Sequence, residues 1–248
     1  MKINYKHFEG KKVVEHLKAA RERGARATAE IHGTEPSGSL SAGADSAKET
    51  AILFMGLWIL LSLLAVEQIF CILGIFSFGW FLWKVGRSSL LGWARLERLH
   101  RLIEQERWEI QHHRNQEKEE LVAMYKQKGF SGKLLDQVVE ILMADDNRLL
   151  RVMLEEELGL TLESYEHPLK QSIGAGVGVI IVIAVGVLGF FIGGFFGVII
   201  ALSLIFSTAT LLASKLEGNG WVRSLVWHLS VGALSIATIF LLIDWVAS

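Results

Sequence analysis

From residue 171 to residue 214 the chain carries no Asp, Glu, Lys or Arg, a run of 44 uncharged positions. A soluble helical core has no need of so long a run. A helix crossing the hydrocarbon layer of a bilayer needs about 20 mainly apolar residues, so this run has room for two crossings. Residues 51–66, 68–83 and 224–243 are also free of those four residue types, with Glu67 alone separating the first two. The pattern predicts an all-α, polytopic membrane protein with five transmembrane helices. Residues 46–86 would hold spans 1 and 2, and residues 168–248 spans 3, 4 and 5. Membrane lipid is then an obligatory partner.

Between these halves the periodicity is that of a water-facing helical domain, residues 87–167. Leu90, Trp93, Leu96, Leu99, Ile103 and Ile110 recur at helical spacing among Arg and Glu, so span 2 is expected to continue beyond the membrane. "HHRNQ" (112–116) reads as a turn, followed by a helix from about Glu117 to Lys128 that Gly129 stops. Ser131 is placed to cap the next helix, Asp145 and Asp146 the one after, and Gly159 to close it.

Basic residues cluster in the N-terminal segment, in 84–101 and in 215–223, whereas the turns near Glu67 and Gly193 have none. The positive-inside rule puts the three basic regions in the cytoplasm and, with five spans, the C-terminus on the opposite side. Residues 1–45 form an N-terminal cytoplasmic segment with a helical pattern around 13–23. That pattern fits an amphipathic helix on the membrane surface or a solvated one. His7, His16 and His32 are too far apart in sequence to define a ligand set. "HGTEPSGSLSAGADS" (32–46) reads as loop, with the first span starting near Ser46. Residues 1–50 are polar throughout and suggest no cleavable leader. Cys71 is the single cysteine, so disulfides play no part, and a net charge of −1 argues against nucleic acid as a partner.

Chemistry concentrates in "EQERWEIQHHRNQEKEELVAMY" (104–125), with glutamates at 106, 109, 117 and 120. Glutamates three apart share a helix face. If the chain turns at 112–115, the pairs Glu106/Glu109 and Glu117/Glu120 can face each other across antiparallel helices. If it does not, they stand about 12 Å apart along one helix and cannot share an ion. Crowded carboxylates repel unless a cation neutralises them. An oxygen-rich set suits Mg²⁺, Ca²⁺, Mn²⁺ or Fe²⁺. Glu157 follows Met153 by one helical turn, and a thioether beside it tilts the preference toward Fe²⁺ or another divalent transition ion. The other reading is a solvated charged face, with Arg107 and Lys118 as partners. A competing pattern is Glu-x-x-His, at Glu97/His100 and Glu109/His112, as in di-iron carboxylate bundles. Gly189, Gly193 and Gly197 repeat every four residues and let helix backbones approach closely, within the chain or between two copies.

These residues together resemble the vacuolar iron transporter family, over about residues 45–245 in layout. The likeness is sharpest in "EQERWEIQHHRNQEKEELVAMYKQKGFS" and "VMLEEELGL". It implies five spans, a cytoplasmic helical metal-binding domain between spans 2 and 3, and a homodimer. It also implies metal-ligand roles for Glu106, Glu109, Glu117, Glu120 and Glu157, and for Met153, whose neighbour in the family's methionine pair is here Leu154. The family's first span opens with Asp-Gly, where this chain has Asp45-Ser46, making Asp45 the candidate acid of a transport path. The second-span glutamate and methionine positions fall on Phe76 and Lys84, and Lys84 by itself reads as a lysine reaching for the membrane surface. The expected function is a non-enzymatic transporter of divalent metal, Fe²⁺ or Mn²⁺, moving ions out of the cytoplasm by proton exchange. A membrane-anchored metal-binding or sensing protein that has lost transport is the alternative.

Overall fold

The computed structural model describes residues 13–28, 38–160 and 167–247, and among them every regular element is helical. His7, His32 and the 32–37 part of the expected loop lie outside the described residues. The chain divides into two compact units, residues 1–33 with 93–165 and residues 34–92 with 166–248.

The second unit contains α2 (Ser39–Leu63), the first part of α3 (Ile69–His112), α7 (Pro168–Leu216) and α8 (Trp221–Ala247). These four helices are long and apolar enough to cross a membrane. Their outward surface is greasy: Phe78, Trp83, Phe191, Ile192, Phe196 and Leu241 are all exposed. A contiguous apolar exterior of this kind belongs against lipid, not water. α2 starts at Ser39, not near Ser46, so part of the expected loop is helix. Small residues explain this. A Cβ on Gly174 or Gly178 would stand 2.0 Å from Ser39 O or 2.2 Å from Gly43 O, so the first turns of α2 lie backbone-to-backbone on α7.

α7 is not one straight rod. Its backbone leaves helical geometry at Gly193 (φ −144°, ψ 20°) and Gly194 (φ 56°, ψ −133°), the latter in the left-handed region that glycine tolerates. Beyond this break the helix doubles back. A Cβ on Gly189 would meet Gly197 O at 2.5 Å, and one on Gly197 would meet Gly189 O at 2.1 Å. Two of the three repeated glycines therefore serve packing within the chain, and the third lies at the bend. Trp58 of α2 fits against this hairpin, 5.8 Å from the Phe190 ring and stacked 6.2 Å from Phe195.

The first unit is built from α1 (Val13–Thr28), the end of α3, α4 (Arg114–Gln127), α5 (Gly132–Met143), α6 (Asp146–Val152) and a π-helical turn, Met153–Glu157. α3 ends at His112 and α4 starts at Arg114, with His113 alone at non-helical angles (φ −126°, ψ 33°). Arg114 then pins the start of α4, donating to Asp146 Oδ1 at 2.6 Å and to the Met143 carbonyl. Gly129 and Gly159 take positive φ where the two stops were expected. Asp145 caps α6 through Arg148 N at 2.8 Å. Ser131 occupies its cap position without a side-chain hydrogen bond. Leu17, Ile110, Leu121, Val139, Leu149 and Leu154 belong to the buried core of this unit.

Candidate metal centre

Three elements of the first unit bring acids to one interior place. The end of α3 carries Glu106 and Glu109, α4 carries Glu117 and Glu120, and the π-helical turn carries Glu157. The one-residue break at His113 reverses the chain, so the two helical pairs face each other. All five glutamates are at least 97% buried, and Glu117 and Glu120 are completely so. Carboxylate oxygens of Glu106, Glu117 and Glu157 lie within 4.8 Å of one another. Gln105 Nε2 donates to Glu109 Oε1 at 2.9 Å, orienting that carboxylate from the same helix.

A sixth side chain joins them. His16 of α1 is 6% exposed, and its Nε2 stands 3.6 Å from Glu120 Oε1 and 3.5 Å from Glu157 Oε1. His16, Glu120 and Glu157 make a second group with ligand atoms within 4.8 Å, and Glu157 belongs to both groups.

The electrostatics are those of crowded, buried acids. The Glu106 carboxyl is pushed well above its ordinary range, first by burial and then by the charges of Glu157, Glu109 and Glu120. Burial, then Glu120, Glu117 and Glu109, raise Glu157 likewise. Arg23 of α1 acts in the opposite sense on both. Glu106 Oε1 is buried and accepts no hydrogen bond among the described residues. Removing such an oxygen from water costs several kcal/mol by the usual transfer scales, which a coordinated cation would offset. The donors are carboxylate oxygens and one imidazole nitrogen, a set suited to Mn²⁺, Fe²⁺ or Zn²⁺.

A sequence profile of the VIT family matches residues 94–243, more than half of the chain and the whole stretch from Glu106 to Glu157. The chain belongs to the VIT family, the vacuolar iron transporters. Comparison with curated proteins and with solved structures gave no match. Membership makes this VIT-family protein an integral membrane protein concerned with metal-ion transport. The matched segment starts after α1 and α2, so His16, Arg23, Asp45 and Lys84 all lie outside it.

The remaining residues singled out in the sequence fall elsewhere. Met153 is fully buried among the apolar side chains of the first unit's core. Asp45 is on α2, in the second unit, 3.1 Å from Lys48 Nζ. Lys84, read from sequence as reaching for the membrane surface, is 1% exposed and paired with Glu49 Oε2 of α2 at 3.1 Å. Phe76 stacks on Trp80 at 6.5 Å. Asp45, Lys48, Glu49, Trp80, His228 and Ser235 line a cleft of about 460 Å³ in this unit. Of the Glu-x-x-His pairs only Glu109 joins the carboxylates: Glu97 is exposed beside Arg101, and His112 stacks on Trp108. Sequence reasoning passed over His16, Arg23 and Glu49. The spacing of Val13, His16, Leu17, Ala20 and Gly24 on one helical face was the available signal for α1.

Proposed function

We propose that this VIT-family protein captures a divalent transition-metal ion, Fe²⁺ or Mn²⁺, on Glu106, Glu109, Glu117, Glu120 and Glu157 and carries it across the membrane out of the cytoplasm. The observation that carries this reading is the burial of five acids together in a small helical unit. Acids are seldom fully buried unless paired, and here carboxylates crowd one another, with Glu157, Glu109 and Glu120 all acting on Glu106. A doubly charged ion resolves that conflict, and the chemistry asked of the site is capture and release, not bond making. Protons are the natural counter-flow, since Glu106 and Glu157 hold them more tightly than ordinary carboxyls and give them up as an ion enters.

The break at Gly193–Gly194 divides α7 into two halves, so the reading takes the four long helices as five crossings. Lys and Arg placement then puts residues 1–45 and 87–167 in the cytoplasm and the C-terminus opposite. Two copies would pack through the apolar flanks of the membrane unit. Asp45, with the cleft it lines, is the first stretch of the path.

A second reading is favoured by one specific contact. Lys84, buried and paired with Glu49 in the membrane unit, puts an ammonium where a cation would pass. On that reading the protein binds or senses metal without moving it. Liposomes containing the purified chain separate the two. Transport gives saturable Fe²⁺ or Mn²⁺ uptake that Glu106→Gln/Glu109→Gln abolishes. Binding without flux leaves the sensor.

A further inference from the structure

We propose that His16, on the N-terminal helix α1, is a nitrogen ligand of the captured ion, and that the ion thereby fastens α1 to the carboxylate cluster. This inference rests on the metal-capture reading above and adds a residue from outside the family-matched segment.

Three independent features of the first unit carry it. Position is the first. His16 Nε2 is 3.5–3.6 Å from oxygens of Glu120 and Glu157. Ligand atoms about 2.1 Å from a shared ion stand roughly 3.0–3.4 Å apart in octahedral or tetrahedral geometry. Small closing motions therefore bring all three into range. Burial is the second. His16 is 6% exposed and sits among acids that are themselves sealed from solvent, with Glu106 Oε1 accepting no hydrogen bond among the described residues.

The third feature is the way α1 is seated. Leu17 and Ala20, on the same face as His16, are in the core of the unit. At Gly24 the fit leaves no room for a side chain, since a Cβ would stand 1.9 Å from Leu158 O at the end of the π-helical turn. α1 is thus held at both ends of its buried face, and His16 is delivered to one place.

The chemical consequence concerns ion choice. A carboxylate-only site treats Mg²⁺ and Ca²⁺ as acceptable hard ions, whereas imidazole suits first-row transition ions. His16 would sharpen discrimination in favour of Mn²⁺ and Fe²⁺ over Mg²⁺. It would also make α1 docking and ion binding mutually reinforcing, because each state favours the other.

The test uses the full-length protein in detergent with Mn²⁺ alone as the probe. Electron spin-echo modulation of bound Mn²⁺ reports directly coordinated imidazole ¹⁴N. Wild type is expected to show it, and His16→Gln to lose it while still binding Mn²⁺ roughly tenfold to a hundredfold more weakly, a loss of the size met even when an outer-shell partner is removed. Mg²⁺ affinity should fall less. Gly24→Val, which alters no donor atom, should lose the nitrogen signal by lifting α1 off Leu158. Mn²⁺ bound by wild type without nitrogen modulation, or a nitrogen signal that survives His16→Gln, overturns His16 ligation and leaves the carboxylate site standing. Wild type that binds no Mn²⁺ overturns the inference and the metal-capture reading together.

Discussion

Replacing Glu106 by Gln is the sharpest perturbation of the carboxylate cluster, because it removes a charge and keeps the shape. Two ionised oxygens 4.8 Å apart, the limit within which Glu106, Glu117 and Glu157 lie, repel by about 3.5 kcal/mol at an effective dielectric constant of 20. In the metal-free protein burial first, and the neighbouring carboxylates second, push Glu106 and Glu157 above their ordinary value of 4.5, so part of that repulsion is avoided by holding protons. The folded state then binds more protons than the unfolded one. Its stability must therefore fall as pH rises from about 4.5 toward the raised values. Under chelator at pH 8, Glu106→Gln should stabilise the first unit by about 1–3 kcal/mol, the remainder of one pair repulsion. Hydrogen–deuterium exchange of full-length protein in detergent reads this locally. Peptides covering 104–125 and 146–160 should exchange roughly 5- to 150-fold more slowly in the variant than in wild type. The difference should shrink toward pH 4.5 and reverse on adding saturating Mn²⁺, which wild type binds better. Faster exchange in the metal-free variant at pH 8 would refute the argument, because it would mean that Glu106 is held by favourable contacts and not by crowding.

The other expectations concern packing and the membrane unit. Mn²⁺ at a hundred times its dissociation constant should stabilise wild type by about 2.7 kcal/mol, seen as a raised melting temperature that chelator reverses. Glu49→Gln should lower the melting temperature in detergent more than Lys84→Met. The first strands an ammonium that is 1% exposed, whereas the second leaves a carboxylate whose side chain is 41% exposed and can find water. Equal effects would argue against a one-sided burial penalty. Gly178→Val must push α2 away from α7, since its Cβ would start 2.2 Å from Gly43 O. A cost of about 1–3 kcal/mol is expected, measured by thermal unfolding of the detergent-solubilised protein.

Much of the layout was legible in the amino-acid order because it rests on short-range rules. The uncharged runs mark the long apolar helices, since solvation of a segment depends on its own residues. Gly129 and Gly159 adopt the left-handed angles expected of helix stops, and Asp145 caps α6. The three-eight-three spacing of glutamates placed two acids on each of two helix faces. It left open whether the chain reversed between them, and His113 decided that with a single residue.

What the sequence alone could not determine is everything that depends on which surfaces meet. α1 reads as an amphipathic helix whether its apolar face meets lipid, water or protein. Only the docked structure puts Leu17 and Ala20 in a core and His16 among acids ninety or more residues away. Lys84 reads as a surface lysine until α2 supplies Glu49 beside it. Glycines four apart read as one packing stripe, but the bend at Gly193–Gly194 sets Gly189 and Gly197 facing each other and leaves Gly193 in the bend itself. Periodicity shows which face of a helix is apolar. The partner of that face is chosen by long-range packing, whose energy is shared among residues far apart in the chain.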